Sequence, residues 1–175
     1  VKIRSKIPYR VDDHGNTISN ASLLIANASG VVLASNNFGV IEKRTDLDVF
    51  SFTAGAGNVN FSIVAKTESG SASVPDLDIQ ARLLDAGGTE IIKVDPTGVL
   101  STVVTVSQSV SAGTYYLEID GVGYGSPLNT GYSDYGSLGQ FFISGSFPPG
   151  ASTGVSEVIQ AEDIHQISIS SRIDI

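Results

Sequence analysis

The sequence contains no cysteine, no methionine and no tryptophan, and aromatic residues make up only 7% of it. Without cysteine, the chain can form neither a disulfide bond nor a thiolate metal site. No apolar run reaches the roughly 18 residues of a membrane span, and stretches rich in strong helix formers are almost absent. A disulfide scaffold and a membrane-spanning chain are therefore excluded, and a helical fold is disfavoured.

Basic residues are also scarce. Ten lysines and arginines stand against eighteen aspartates and glutamates, which gives a net charge of −8. Because such an acidic chain repels a phosphate backbone, we expect no nucleic-acid partner. Acidic clusters attract hard cations such as calcium, although they also simply keep an exported protein soluble.

Glycine, with 19 residues, and β-branched residues are abundant, which favours short strands joined by tight turns. Residues 47–53 place Phe50 and Phe52 on one face together with Asp48, and residues 58–64 alternate in the same way. Seven or more such segments predict an all-β fold, an antiparallel β-sandwich. The predicted core includes Phe50, Phe52, Phe61, Ile63, Leu83, Tyr116 and Ile143.

Changes in composition predict four regions. Residues 1–22 form a polar lead-in, residues 23–147 the β-sandwich domain and residues 148–157 a linker rich in proline, glycine and serine. Residues 158–175 are interpreted as a C-terminal strand or the start of a further module. Four isoleucines of this segment share one parity, which predicts that they are buried, preferably against another chain or domain: Ile167, Ile169, Ile173 and Ile175.

No catalytic motif stands out. His14 and His165 are the two histidines, and the chain has no His-Glu-x-x-His helix, nucleophile elbow or Walker loop. His14 beside Asp13 supplies two parts of a possible triad, but its turn-like surroundings favour a surface or supporting role. We therefore expect that the chain is not an enzyme.

Two groups of acidic residues are candidates for metal binding. Asp12, Asp13 and Asn16 lie close enough for one loop to wrap around an ion, and Asp46 and Asp48 project from one face at the start of a strand. Calcium prefers six to eight oxygen ligands of these kinds. The same residues also suit Asx turns and strand ends, so the residues themselves leave both interpretations open.

The long loop at residues 121–138 carries a second candidate site. Its aromatic and polar side chains are of the kind that bind sugars or peptides, because tyrosine gives rigid contact area at low entropic cost. The alternative, which we favour, is an ordered loop that packs its tyrosines onto a sheet edge. The candidate ligand-binding residues are Tyr124, Asn129, Tyr132, Asp134 and Tyr135.

Taken in order, several short blocks resemble the bacterial pre-peptidase C-terminal domain family, whose members follow the catalytic domains of secreted peptidases and collagenases. The blocks span residues 9–147 and comprise residues 12–17, 39–42, 45–52, 77–79, 112–117 and 131–140. The resemblance implies a jelly-roll-like sandwich appended to an exported enzyme. It also implies a calcium ion between the lead-in and an early strand, at Asp12, Asp13, Asn16, Asp46 and Asp48.

On this basis the sequence predicts a secreted, non-catalytic accessory domain of a hydrolase, stabilised by Ca²⁺ and assisting secretion, folding or substrate targeting. Its expected partners are an attached catalytic domain or a neighbouring subunit, located outside the cell or at its surface. Two alternatives stay open. One is a module that binds a polysaccharide or an extracellular protein, and the other is a structural subunit of an extracellular assembly that uses strand addition.

Overall fold

Ten β-strands and two short 3-10 helices make up the regular structure of residues 10–67, 75–96 and 100–150, which are the residues that this computed structural model describes. The 3-10 helices are Ile18–Asn20 and Asp134–Gly136. The strands are β1 (Ser22–Leu23), β2 (Val31–Val32), β3 (Phe38–Ile41), β4 (Leu47–Ala54), β5 (Gly57–Ala65), β6 (Ile79–Leu84), β7 (Glu90–Val94), β8 (Val103–Val110), β9 (Gly113–Gly121) and β10 (Gly139–Ser146).

The strands form two five-stranded sheets. The first sheet has the order β1-β4-β9-β6-β7, and the second has the order β2-β10-β5-β8, with β3 also paired to β10. Every pairing between strands is antiparallel except the two-residue contact of β1 with β4, which is parallel. The predicted all-β sandwich is therefore confirmed. Within the described residues, no helix has the length and apolarity needed to cross a membrane.

The core lies between the sheets and follows the predicted alternation. Phe52 and Phe61 meet edge to face, one from each sheet, with ring centroids 5.2 Å apart, in the geometry that aromatic pairs prefer. Six of the seven predicted core residues are buried with no more than 2% of their surface exposed: Phe50, Phe52, Phe61, Ile63, Leu83 and Ile143.

The prediction for Tyr116 was wrong. Its half-buried side chain lies on the outer face of the first sheet, where Tyr116 pairs with Ser51 and Leu84. The neighbouring Tyr115 is the core residue, since it shares the parity of the fully buried Leu117 and its hydroxyl donates to the carbonyl of Ser111 at 2.8 Å. A tyrosine doublet suits either face, because the residue combines an apolar ring with a polar tip.

The lead-in runs along the outer edge of β4. The amide of Val49 donates to the carbonyl of Gly15 at 3.0 Å, and the amide of Leu24 donates to the carbonyl of Ser51 at 2.9 Å. This contact gives partners to backbone groups that a free edge would leave unpaired. The predicted C-terminal isoleucines lie outside the described residues, and the predicted domain boundaries stay predictions.

Candidate metal centre

The first part of the candidate site is a tight turn in the lead-in. One carboxylate oxygen of Asp12 accepts from the amide of His14 at 3.2 Å, and the other accepts from the side-chain amide of Asn16 at 3.0 Å. The oxygen of Asn16 accepts from the amide of Leu47 at 2.9 Å, which attaches the turn to the start of β4. Asp12 therefore forms an Asx turn, and Asn16 joins this turn to the sheet.

The second part lies where the chain passes from β3 into β4. The turn between these strands is closed by the amide of Asp46, which donates to the carbonyl of Lys43 at 2.9 Å. One carboxylate oxygen of Asp46 accepts from the amide of Glu42 at 2.9 Å. Asp48, two residues further on, has the inward parity of Phe50, so its carboxylate points into the sandwich. The carboxylates of Asp46 and Asp48 thus lie at one end of the core.

Asp12, Asp46 and Asp48 each offer an oxygen, and these three oxygens all lie within 4.8 Å of one another. Asp46 and Asp48 are completely buried, and the side chain of Glu42 is only 4% exposed. Five of their carboxylate oxygens are buried without a hydrogen-bond partner: both oxygens of Glu42, Oδ1 of Asp46 and both oxygens of Asp48. Buried polar atoms normally have partners, and buried carboxyl groups are normally protonated, paired or bound to a cation.

The electrostatics of the cluster disfavour the charged form of two of these acids. Burial, followed by the charges of Asp13 and Asp46, raises the pKa of Asp48 to about 8. Burial together with the neighbouring Asp46 raises the pKa of Glu42 to about 8 as well. The basic side chain that pairs with acids here is Arg10, which is 56% exposed and lies 3.8 Å from Asp13 and 3.9 Å from Glu42. Such a long and exposed contact compensates little of the buried charge.

Gly39 makes room for the cluster. A Cβ atom at this position would lie 2.5 Å from Oδ2 of Asp48 and 2.6 Å from the ring of Phe141. A side chain at residue 39 would therefore occupy space that the carboxylate uses. The donor set is hard oxygen throughout, which suits calcium rather than zinc or copper.

The structure brings the five predicted metal ligands to one end of the sandwich but gives them different positions. Asp12, Asp46 and Asp48 converge, whereas the side-chain oxygen of Asn16 accepts a hydrogen bond from the amide of Leu47. One oxygen of Asp13 accepts from the amide of Val40 at 3.3 Å, and the other faces Arg10. Asn16 and Asp13 therefore hold the turn against the sheet.

Glu42 lies beside the three converging aspartates and was not among the predicted site residues. Its signal was its place four residues before Asp46 and directly after β3, next to the turn that carries the other acids. His14 is also a positioning residue, because its ring nitrogens lie 2.8 Å from the hydroxyl of Ser22 and 2.8 Å from the carbonyl of Phe38. Both nitrogens are thus engaged, which agrees with the supporting role predicted for this histidine.

The tyrosine loop is packed by its own contacts. Tyr124 and Tyr132 exchange backbone hydrogen bonds of 2.9 and 2.8 Å, and the hydroxyl of Tyr132 donates to Asp78 at 2.7 Å. Burial and this bond raise the pKa of Tyr132 to about 12. Asp134 pairs with Arg44 at 3.6 Å, while Asn129 is exposed. The loop thus uses part of the predicted ligand-binding set for its own structure.

Tyr135 differs from the rest of that set, since it is 76% exposed and borders an open cleft of about 400 Å³ with Leu100 and Asp76. A second cleft, which shares Tyr132 with the first, contains Asp120. Burial and then the charge of Glu118 raise the pKa of Asp120 to about 6.

Comparison with known proteins gives a structural similarity without an assignment. No protein-family model matches the chain, and no curated protein matches it. Among solved structures, the pre-peptidase C-terminal domain of a collagenase from Bacillus anthracis is similar, with 16% sequence identity and a TM-score of 0.46. The match covers 75% of this chain and all of that domain. At this identity and TM-score, the likeness assigns neither a ligand nor an activity.

Proposed function

We propose that this chain is a non-catalytic accessory β-sandwich domain whose lead-in is fastened to the sandwich by a bound calcium ion. The observation that carries the metal site is the set of five buried carboxylate oxygens without a hydrogen-bond partner on Glu42, Asp46 and Asp48. Asp12 completes the group from the lead-in. These residues supply hard oxygen ligands of the kind that calcium prefers, and they come from two segments far apart in sequence.

The ion would have a structural task. With calcium bound, the four carboxylates gain a common counter-charge, and the turn at Asp12 is held against β3 and β4. Binding to the folded state alone stabilises it by mass action. Because the ligands come from the lead-in and from the sandwich, the stabilisation includes the docking of residues 10–24 on the edge of β4.

The accessory role rests on the ordered sequence blocks that resemble the pre-peptidase C-terminal domain family. In this role the chain lies outside the cell, next to a catalytic domain of a hydrolase, and aids the secretion, folding or substrate targeting of that enzyme. The complete gene checks this part of the proposal: it should encode a hydrolase domain in the same polypeptide. A gene that encodes a sandwich without such a domain would contradict the accessory role and leave the metal site to be judged separately.

The metal site is tested by thermal unfolding and calorimetric titration with calcium. After a chelator has removed bound metal, added calcium should raise the melting temperature of the wild-type chain. Glu42→Gln should reduce both the association constant for calcium and this rise in melting temperature. Glu90→Gln is the matched control, because it removes the same charge from an exposed position on β7. An identical melting temperature of the wild type in chelator and in millimolar calcium would refute the site.

A further inference from the structure

The second sheet carries no charged residue in any of its strands. No aspartate, glutamate, lysine or arginine occurs in β2, β3, β5, β8 or β10. The first sheet differs, since β4, β6, β7 and β9 all contain charged residues. In a chain with a net charge of −8, the second sheet is thus a surface that another anionic molecule can approach without repulsion.

β8 is the open edge of this sheet. Its one partner strand among the described residues is β5. Its register with β5 is unbroken from Val103 to Val110, so no bulge interrupts the edge. It contains no proline. Charges, prolines, bulges and short length are the devices that normally keep an edge strand from pairing with another chain, and this eight-residue strand uses none of them.

The other edges are protected. The edge strand β7 of the first sheet carries Glu90 and Lys93, and its register with β6 shifts at Leu83/Leu84. The opposite edge of that sheet is covered by the lead-in. β2 and β3, at the far side of the second sheet, have two and four residues. Among the described strands, β8 therefore combines length, regularity and absence of charge at an unpaired edge.

The hydrogen-bonding direction of each β8 residue follows from its ladder. The amide of Ala65 donates to the carbonyl of Thr102 at 2.8 Å, so these two residues form a hydrogen-bonded pair. Since such pairs alternate along an antiparallel ladder, Val104 and Val106 bond to β5. The backbone groups that point away from β5 are those of Val103, Thr105, Ser107 and Ser109.

The outward residues also have exposed side chains, and Val103 is 51% exposed. The side-chain amide of Gln108 donates a hydrogen bond to the carbonyl of Ser109 at 3.1 Å. Thr105 and Ser107 stand at the centre of the outward set, each with a free amide and a free carbonyl on the open edge among the described contacts.

We infer that the occupant of this edge is a second copy of the chain, paired β8 to β8 in antiparallel orientation about a two-fold axis. Two-fold pairing places Thr105 of one copy opposite Ser107 of the other, and Val103 opposite Ser109, so outward residues meet outward residues throughout. The strand is therefore complementary to itself, as an isologous interface requires. The product is a continuous sheet across both copies, and it does not depend on the calcium site.

The test is the molar mass of the full chain, measured by sedimentation velocity over a series of protein concentrations. The expected species is a dimer of two 18.2 kDa chains. Thr105→Pro removes an outward N–H while the bonds of Val104 and Val106 to β5 remain, and proline is tolerated at edges of this kind. Because the substitution occurs twice in the dimer, it should weaken association at least about tenfold.

Two controls separate the edge from other surfaces. Thr105→Ala keeps the backbone N–H and should dimerise like the wild type. Ser144→Lys places a charge on the outer face of β10, two strands away from the edge, and should also leave the dimer intact. If Thr105→Pro does not fold, Thr105→Lys replaces it, since its exposed side chain puts repelling charges on both copies.

Hydrogen exchange of the unmodified chain gives an independent measurement. The amides of Thr105 and Ser107 should be protected at high protein concentration and should lose that protection on dilution. A monomer at all concentrations would overturn the inference, as would a dimer that Thr105→Pro and Thr105→Lys leave unchanged. Protection of these two amides in the monomer would overturn it too, because the edge would then be covered within one chain.

Discussion

Replacing Asp48 with asparagine should show how much stability the buried acid costs without calcium and how much it contributes when calcium is bound. Asp48 is completely buried, and its pKa is raised from 3.8 to about 8. The folded state therefore holds the proton more tightly than the unfolded state. Stability that depends on the neutral acid is present below about pH 4 and is lost as the pH rises towards 8.

The size of this effect follows from the same values. Each pH unit between 3.8 and 7 costs about 1.4 kcal/mol, so the carboxylate lowers the free energy of unfolding by at most about 4 kcal/mol at pH 7 without calcium. Asparagine keeps the shape and removes this cost. In chelator at pH 7, Asp48→Asn should therefore melt above the wild type, by up to about 10 °C for a domain of this size.

Calcium should reverse the order. At a concentration about 100 times the dissociation constant, it stabilises the wild type by roughly 2.7 kcal/mol, whereas Asp48→Asn lacks a charged ligand and should gain little. The assay is scanning calorimetry of both proteins in chelator and in calcium. The reasoning is refuted if Asp48→Asn melts below the wild type in chelator and both proteins gain equally from calcium.

Two further changes test the space and the charge around these sites. Gly39→Ala should destabilise the fold by about 1–3 kcal/mol in urea unfolding, because its Cβ would crowd Asp48 and Phe141. Gly136→Ala is the control and should have little effect, since nothing lies within 4 Å of its Cβ. Equal losses of stability in the two variants would contradict the crowding. Asp120→Asn should match the wild type near pH 4 and exceed its free energy of unfolding at pH 7, since the pKa of Asp120 is raised from 3.8 to about 6 and stability is lost as the pH rises through that range. Because Asp120 is only partly buried, solvent screening keeps this gain well below the roughly 3 kcal/mol expected of a fully buried group. A gap that stays constant with pH in urea unfolding would argue against this assignment.

Much of the fold could be predicted from the chain itself. Alternation with a period of two is a local property, and it placed Phe50 and Phe52 in the core together with Asp48. Asp48 was a site candidate because it projects with Asp46 from one face at the start of a strand and because the family resemblance implies a calcium ion there. The doublet at Tyr115 and Tyr116 marks the limit of this signal, because either tyrosine satisfies the pattern.

Tertiary structure decided which members of the predicted ligand set converge and which other residues join them. Asp12 reaches Asp46 and Asp48 because the lead-in follows the edge of β4, and Glu42 joins them because the turn after β3 folds back over the same end. These contacts join segments about thirty positions apart, and loop closure at such separations leaves no periodic trace in the sequence. The open edge at β8 has the same origin: the residues of β8 could be read as a strand, but its place at the end of the sheet depends on the order of all the other strands.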